Sequence, residues 1–498
     1  MTLPARAGRA LALAAGIVAG LTLPVRGAEE ARAHWGVTTA DPRAQDLFDR
    51  GLAMMYAFDI GEARVAFEQA AQRDPGLAMA YWGMAEADTI DINRPSTPEG
   101  ERRGVEAVAQ ARSRLAHASA EERLLVDAIA KRYAKGTEKQ KFSRYADAMS
   151  VFAKAHRDEP NALVVTGFAI YTAEDALLDG KDALTPKARE IQEDADRALE
   201  LEPTNLGAHH LRIHLLENAH RSNQAVPDAD ALSSYTYPPG ESHLPHMAGH
   251  IWSRTGEYER LVADNQHAVD NDRAWFALGD GPGQQYMKLY HAHDVDFVSY
   301  GLTTLGRNDE ARAAVKGEDT LSQLKTALRL HDDARVVELA RNSSSGFNGF
   351  AGAVAAGRRG DAPAARATRA KLAGDGASGV RVALIDAAIA LGEHDPAARA
   401  AAYARAYGLT KSDFPGDPKD YWPTPIGEGY AAALLAASKA ADSETVFGAE
   451  LKRFPNDPHL EFGLAEALKA QGKDDTAPRA AYKAHWKGTR DLTLADLG

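Results

Sequence analysis

Ten of the seventeen histidines lie within residues 209–293, and two pairs among them share one spacing. His210 and His214 are four residues apart, and so are His246 and His250. On a helix, residues at positions i and i+4 lie on one face, one turn apart. Two imidazoles in this arrangement can bind a single metal ion. The spacing therefore predicts a histidine metal site carried by helices.

Neighbouring segments supply further candidate ligands. The second pair follows the first by 36 residues, which is close to the repeat length of the rest of the chain. Because pairs in the same phase of adjacent repeats stand side by side, we expect all four histidines to share one site. Glu217 extends the first stripe, and His243 extends the second. A third helix offers His293, with His291 and Asp296 as additional candidates.

The types of these ligands restrict the metal. Imidazole suits copper, zinc, iron and nickel, and an added carboxylate is compatible with several of them. We predict copper, with iron or zinc as alternatives, and the missing thiolates argue against a copper(I) store. An open coordination position would make the site catalytic, whereas a filled one would make it structural. Two other interpretations stay open: a histidine-lined binding groove without metal, and histidines with no shared role.

The composition of the 498 residues excludes several classes of function. The net charge is −12 and there is no Lys/Arg-rich tract, so a nucleic-acid partner has no electrostatic support. The chain has no cysteine, which excludes disulfide bonds, thiolate metal ligands and a cysteine nucleophile. Alanine is abundant while β-branched and aromatic residues are modest, and this balance favours helix.

Residues 1–27 predict an export signal. Arg6 and Arg9 precede an apolar stretch that runs from Ala10 to Leu23, and Gly27 offers a small residue for cleavage. The apolar stretch is short for a transmembrane helix. We therefore expect a periplasmic or secreted protein that has no membrane association after the signal is cleaved.

A helical repeat organises the rest of the chain. Counted from Ala44, small, aromatic and proline residues fall at the positions of the tetratricopeptide pattern of about 34 residues: Gly51, Ala63, Phe67, Ala70 and Pro75. Small residues let two helices approach closely, and the proline stops the second helix. Weaker copies show turns at Gly256, Gly306, Gly360 and Gly392–Asp395. We predict an all-α fold, a right-handed α-solenoid of tetratricopeptide-like helix pairs.

Several motifs resemble those of exported bacterial tetratricopeptide proteins with a central histidine-rich region. They are a Trp-Gly-x-Ala segment at 82–85 that ends in a loose match to Asn-x-x-Pro at 91–95, a His-x-x-x-His-x-x-Glu helix at 210–217, and a His-Met-x-x-His-Ile segment at 246–251. The family's Tyr-x-x-His segment is matched by Tyr290 and His293, but Asp296 stands where a second histidine is common. The resemblance implies a repeat fold with a histidine-rich centre, and it implies no reaction.

These patterns divide the chain and define the functional alternatives. We expect an N-terminal repeat segment at 28–160, a central histidine-rich segment at 161–320 and a C-terminal segment at 321–498. The first hypothesis is a metal-dependent enzyme, an oxidase or hydrolase that acts on a small molecule in the concave groove. The alternatives are a scaffold that binds a peptide or protein in that groove, and a metal-delivery protein without catalysis.

Overall fold

The computed structural model describes residues 30–93, 96–181, 183–218, 221–279, 284–341, 346–376, 378–409 and 423–498. Within these ranges the chain forms 24 α-helices and three short 3-10 helices, with no β-strand. The predicted export signal lies outside the described residues. In the described part of the chain, no helix combines the length and the hydropathy needed to span a membrane.

The helices follow one another as pairs joined by short turns. The first four pairs are α1 (Pro42–Tyr56) with α2 (Ile60–Arg73), α3 (Ala78–Ala87) with α4 (Pro98–Arg112), α5 (Ala120–Arg132) with α6 (Glu138–Ala155), and α7 (Pro160–Ala173) with α8 (Pro186–Leu201). The three central pairs are α9 (Leu206–Asn218) with α10 (Val226–Ser233), α11 (His243–Thr255) with α12 (Tyr258–Phe276), and α13 (Gln284–Leu305) with α14 (Asn308–Ala314).

Five further pairs complete the chain. They are α15 (Thr320–Arg329) with α16 (Asp333–Ala340), α17 (Gly346–Arg358) with α18 (Ala362–Gly374), α19 (Gly379–Gly392) with α20 (Pro396–Leu409), α21 (Ile426–Ala436) with α22 (Ala440–Arg453), and α23 (Pro458–Ala470) with α24 (Thr476–His485). The prediction of an all-α solenoid of helix pairs is confirmed. The proposed segment boundaries at 160 and 320 stay predictions.

The first pair shows why these sequences form close helix pairs. The side chain of Asp41 accepts a hydrogen bond from the backbone N–H of Arg43 and starts α1. The ring of Phe67 on α2 lies against Gly51 and Gly83, where a Cβ atom would stand 2.6 Å from it. Because no side chain fits at those two positions, the small residues of the repeat pattern are required by packing.

A left-handed residue closes the turn within at least eight of the pairs. It is Phe58, Gly256, Gly306, His331, Gly360, His394, Ser438 and Gly472 in chain order, and the φ values lie between 54° and 83°. The next residue donates its N–H to a carbonyl five positions earlier, as from Asp59 to Met54 and from Glu257 to Trp252, both at 3.0 Å. This is a Schellman-type helix end, which usually takes glycine.

Contacts between distant pairs bend the array back on itself. Successive first helices contact one another from α7 through α9, α11, α13 and α15 to α17. In addition, α1 contacts α9, and α13 contacts α23. Lys487 donates its N–H to the carbonyl of Leu305 at 2.8 Å, so the segment after α24 is attached to the central pairs. As a result, the central helices are covered from both ends of the chain.

Candidate metal centre

Three consecutive first helices supply six histidines to the interior of the molecule. Helix α9 carries His210 and His214, α11 carries three more at 243, 246 and 250, and α13 carries His293. All are buried except His293, which is half-buried. The predicted stripes thus face an enclosed interior and not an open groove, because α1 and the turn after it pack across α9.

The six histidines form two groups, and we call the first of them trio A. It consists of His210, His214 and His243, with one nitrogen from each within 4.8 Å of the others. The Nε2 atoms of His210 and His214 are 2.9 Å apart. The Nδ1 of His210 lies 2.6 Å from the carbonyl oxygen of Tyr56, which can only accept, so Nδ1 carries the proton and Nε2 is the nitrogen that could bind a metal ion.

His243 completes trio A. Its side chain is 2% exposed, and neither ring nitrogen has a hydrogen-bond partner among the residues that the structure describes. Burial lowers the pKa of His243 well below its ordinary value, and burial likewise lowers the pKa of His210 to about 3. Both rings are therefore neutral at neutral pH. An unsatisfied buried imidazole needs an explanation, and a metal ion bound to its nitrogen supplies one.

A strained phenylalanine closes trio A. The ring centroid of Phe58 is 4.5 Å from that of His210, 5.9 Å from His214 and 5.3 Å from His243. Its backbone φ is 55°, a conformation that costs a non-glycine residue about 1–2 kcal/mol. The side chain is fully buried. A bulky residue at this turn position is therefore held there by its packing over the three imidazoles.

The second group, trio B, consists of His246, His250 and His293. The Nε2 atoms of His246 and His250 are 3.0 Å apart. Phe297 lies one turn after His293, and its ring centroid is 4.8 Å from those of His246 and His250 and 5.0 Å from that of His293. Trio B thus repeats the arrangement of trio A, with three imidazoles packed against one phenylalanine.

In trio B, the hydrogen-bond partners of the Nδ1 atoms determine which nitrogen of each ring faces the other histidines. The Nδ1 of His246 lies 2.7 Å from Oδ1 of Asn265, whose own Nδ2 donates to the carbonyl of Leu261. The Nδ1 of His250 lies 3.1 Å from a carboxylate oxygen of Glu217. Because both partners accept, each Nδ1 carries the ring's proton, and each Nε2 has a lone pair. At 3.0 Å the two Nε2 atoms can share an added proton, and a metal cation between them would take the place of that proton.

Three predicted ligands lie outside the two trios. Glu217 supports His250 through Nδ1 and lies 3.6 Å from Nε of Arg254. His291 lies 3.0 Å from each of two carboxylates, those of Asp272 and Glu318. Asp296 is paired with Lys325. The third arm from α13 therefore reaches trio B through His293.

The geometry of each trio fits a transition-metal ion. Metal–nitrogen bonds of about 2.0–2.1 Å place two ligand nitrogens about 3.3–3.5 Å apart, which small side-chain movements would reach from 2.9 and 3.0 Å. Three nitrogen ligands leave a fourth position for water or a substrate. The trios are adjacent, since the ring centroids of His243 and His246 are 5.6 Å apart.

Sequence reasoning missed the residues that surround the ligands. Phe58 had one available signal, because it stands at a turn position that glycine occupies in other repeats. Phe297 also had one, because it lies four residues after His293 on the same helix. Asn265 had none, since its contact with His246 depends on the packing of α12 against α11.

Comparisons with known proteins add little to this description. No family model matches the chain, and no curated protein matches it. Among solved structures, the chain is similar to the TPR domain of P58(IPK), with 13% identity and a TM-score of 0.24 over 86% of this chain and 98% of that one. It is also similar to yeast Tom70, with 11% identity and a TM-score of 0.25 over 89% and 92%. The helix-pair fold therefore rests on the elements described above.

Proposed function

We propose that this protein binds transition-metal ions inside a helical-repeat fold, with one ion at trio A and one at trio B. The observation that carries the proposal is the convergence of three imidazoles at trio B, where the Nε2 atoms of His246 and His250 are 3.0 Å apart. Glu217 and Asn265 hold both rings in the tautomer that leaves a lone pair on each Nε2. The unsatisfied nitrogens of His243 support the same function at trio A.

Copper is the first candidate ion, and iron and zinc are the alternatives, because imidazole ligands suit all three. Three protein ligands leave an open coordination position, which is the condition for oxidation or metal-assisted hydrolysis. The burial of both trios restricts a substrate to a small molecule. His293 is the most exposed of the six histidines, so we place the approach to the site on its side. A metal-delivery protein, the alternative without catalysis, would bind the same ions but would not convert a substrate.

A scaffold is the second candidate function. A surface groove of about 740 Å³ lies along α16, α17 and α18, and small residues such as Gly349, Gly352 and Ala353 line part of it. An extended peptide could lie there, far along the chain from the histidines. The proposed export to the periplasm is compatible with either function and depends on the segment before residue 30.

The metal content of the protein tests the proposal. Untagged protein is purified from the periplasm and measured by plasma mass spectrometry beside the His210→Ala/His250→Ala variant, which removes one ligand from each trio. We expect close to two ions per wild-type chain and none in the variant. A matched control replaces two histidines outside the trios, His156→Ala/His485→Ala, and should keep both ions. A wild-type protein that holds no metal and binds no added copper, iron or zinc would exclude the metal function and favour the scaffold.

A further inference from the structure

A cavity of about 490 Å³ lies where the C-terminal segment meets the central helix pairs, and we call it the junction cavity. Four separate parts of the chain form its wall: the α13–α14 turn within 303–312, the α15–α16 turn at 329–331, the first turn of α23 at His459, and the segment within 486–496. Cavities of this size bind small molecules when a few polar groups converge in them. None of the six histidines of the trios lines the junction cavity, so it is a separate site.

Two polar side chains of this wall have hydrogen-bonding atoms that are not used. The Nδ1 of His459 and the Oδ1 of Asn308 have no hydrogen-bond partner among the residues that the structure describes. His459 is only 5% exposed, and the Oδ1 of Asp457 lies 3.7 Å from its Nδ1, too far for a hydrogen bond. Because buried polar groups normally have a partner, a molecule bound in the junction cavity would explain both side chains.

The acidic groups of the wall are already paired. Each of its three carboxylates is bonded to an arginine of the same wall: Asp309 to Arg312, Glu310 to Arg307, and Asp496 to Arg490. The fourth arginine of the wall, Arg329, is bonded to Glu428. The charges within each pair offset one another, so the charge of a ligand depends on the groups that remain.

The remaining cation of the wall is Lys487. Among the wall residues that the structure describes, it is the one cation without a carboxylate at hydrogen-bond distance. Its Nζ donates to the carbonyl oxygen of Ala484 at 3.0 Å, and a carboxylate oxygen of Glu259 is 3.9 Å away. An ammonium group has three donors, so two of them remain available for an acceptor in the junction cavity.

The charges around His331, another residue of the wall, have the same sign. Burial lowers the pKa of His331 to about 3, and nearby arginines lower it further, against one opposing carboxylate: Arg358, Arg329 and Arg399 against Glu428. The arginines that disfavour an imidazolium cation at this position attract an anion to it. The unpaired donors and the local charge therefore both favour an anionic ligand.

We propose that the junction cavity binds a small molecule through a carboxylate or phosphate group, which accepts hydrogen bonds from Lys487 and His459. Both groups are oxyanions, and both accept the same charge-assisted hydrogen bonds. Asn308 supplies a further contact through its amide, which offers a donor as well as an acceptor. Because the ligand contacts four parts of the chain, it stabilises the attachment of the C-terminal segment to the central helix pairs.

Isothermal titration of the full-length wild type tests the site with three probes: inorganic phosphate, succinate and, as a neutral probe, glycerol. We expect one anion to bind per chain and glycerol not to bind. Tighter binding of phosphate would identify a phosphate ester as the class of ligand, and tighter binding of succinate would identify a carboxylic acid. Failure of both anions to bind at concentrations up to about 10 mM would overturn the proposal.

Two substitutions test the donors. Lys487→Gln removes the charge, and His459→Phe removes both ring nitrogens while it keeps an aromatic ring against Trp486. We expect each variant to bind the tighter anion about 10-fold more weakly or worse. Lys469→Gln is the matched control, because Lys469 also lies near one carboxylate, that of Glu466 at 4.0 Å, but does not line the cavity. Equal affinities in Lys487→Gln and Lys469→Gln would overturn the proposal.

Hydrogen exchange of the wild type, with and without the tighter anion, requires no variant to fold. Because the parts of the chain that meet at the junction cavity are far apart in sequence, we expect them to gain protection together. The expected segments are 303–312, 329–331 and 486–496. Protection in other segments, with none in these three, would place the anion elsewhere and overturn the assignment.

Discussion

The hydrogen bond at Nδ1 determines what each histidine of the two trios can offer to a metal ion. His210, His246 and His250 are each held by an acceptor on Nδ1, namely the carbonyl of Tyr56, the amide of Asn265 and the carboxylate of Glu217. Each acceptor fixes the ring orientation and leaves Nε2 as the nitrogen that could bind a metal ion. Glu217, which its spacing predicts as a ligand, contacts Nδ1 of His250 in the structure, and in the proposed site it would act through that ring.

Glu217→Gln tests this indirect role. The amide keeps the size of the side chain and removes its charge, so the ring of His250 becomes a weaker ligand. We expect trio B to bind zinc(II) about 10- to 100-fold more weakly, with metal binding at trio A unchanged. Isothermal titration measures both affinities. Glu461→Gln is the matched control, because Glu461 also contacts Nδ1 of a histidine, His485, at 2.9 Å, and that histidine belongs to neither trio. A change of less than twofold in the zinc(II) affinity of Glu217→Gln would show that the carboxylate does not contribute to metal binding.

A buried carboxyl at the start of α2 gives the metal-free protein a pH dependence. Burial raises the pKa of Asp59 to about 8, while the unfolded chain has its ordinary value near 3.8. Between those values the unfolded chain is ionised and the folded one is protonated, so stability is complete below pH 4 and declines as the pH rises towards 8. The depressed pKa of His210, about 3, acts in the opposite direction and only below about pH 6.5.

Asp59→Asn is expected to remove this loss of stability at rising pH. Asparagine also caps helices well and resembles the protonated acid. In urea unfolding with a chelator present, the free energy of unfolding of the variant is compared with that of the wild type at both pH values. The difference in favour of the variant should be larger at pH 8 than at pH 6.5, by about 1 kcal/mol or more. Asp361→Asn is the control, because Asp361 caps α18 with a similar backbone in an exposed position. Equal gains at the two pH values would contradict the protonated state of Asp59.

At the scale of elements, the close approach of two paired helices orients the histidines of trio B. Gly249 on α11 lies directly against the amide of Asn265 on α12, and a Cβ atom there would overlap it. Because Asn265 holds Nδ1 of His246, the packing of α11 on α12 controls the orientation of a ligand. A residue that touches no ion therefore contributes to the site through the distance between two helices.

Gly249→Ala should disturb both packing and binding. We expect a loss of about 1–3 kcal/mol in stability from overpacking, together with weaker metal binding at trio B. Gly448→Ala on α22 is the control, since nothing lies within 4 Å of its added Cβ, and it should be neutral or stabilising by up to about 1 kcal/mol. Urea unfolding and metal titration measure the two effects. A tolerated Gly249→Ala with normal binding would contradict the positioning role.

The helix pairs and their turns are the features that the sequence could predict. Pairing and turns follow from residues a few positions apart, so Gly256, Gly306 and Gly360 predict the helix ends where the structure has them. The grouping of histidines into two trios does not follow from spacing, because His243 and His246 lie three residues apart and belong to different trios. The carbonyl that fixes His210 is 154 residues away in the chain. Contacts of that kind depend on how the whole array bends.

At the scale of the molecule, charged and apolar contacts join distant repeats. Arg329 on α15 and Glu428 on α21 form a buried two-point ion pair at 2.8 and 3.1 Å, 99 residues apart. Neither side chain is more than 5% exposed. The pair connects the segment after the central repeats to the C-terminal pairs. A buried charge that loses its partner costs far more than an exposed one.

Glu428→Gln should therefore destabilise the fold by about 3–5 kcal/mol. The double variant Arg329→Met/Glu428→Leu should recover most of this loss, because it leaves no unpaired charge. The exposed pair of Arg366 with Glu393, at 2.6 Å, is the comparison, and Glu393→Gln should cost less than about 1 kcal/mol. The midpoints of urea unfolding measure the loss of stability in each variant. Similar losses for the buried and exposed pairs would contradict this argument.

The enclosure of the histidines has a consequence for time as well as for affinity. Solvent scarcely reaches the nitrogens of trio A, since His210 and His243 are at most 2% exposed. An ion bound there, as proposed, would leave when α1 and α9 separate, so its residence time would follow the frequency of that local opening and not the strength of the metal–nitrogen bonds alone. Strong chelators would then remove the ion slowly, at a rate independent of their concentration.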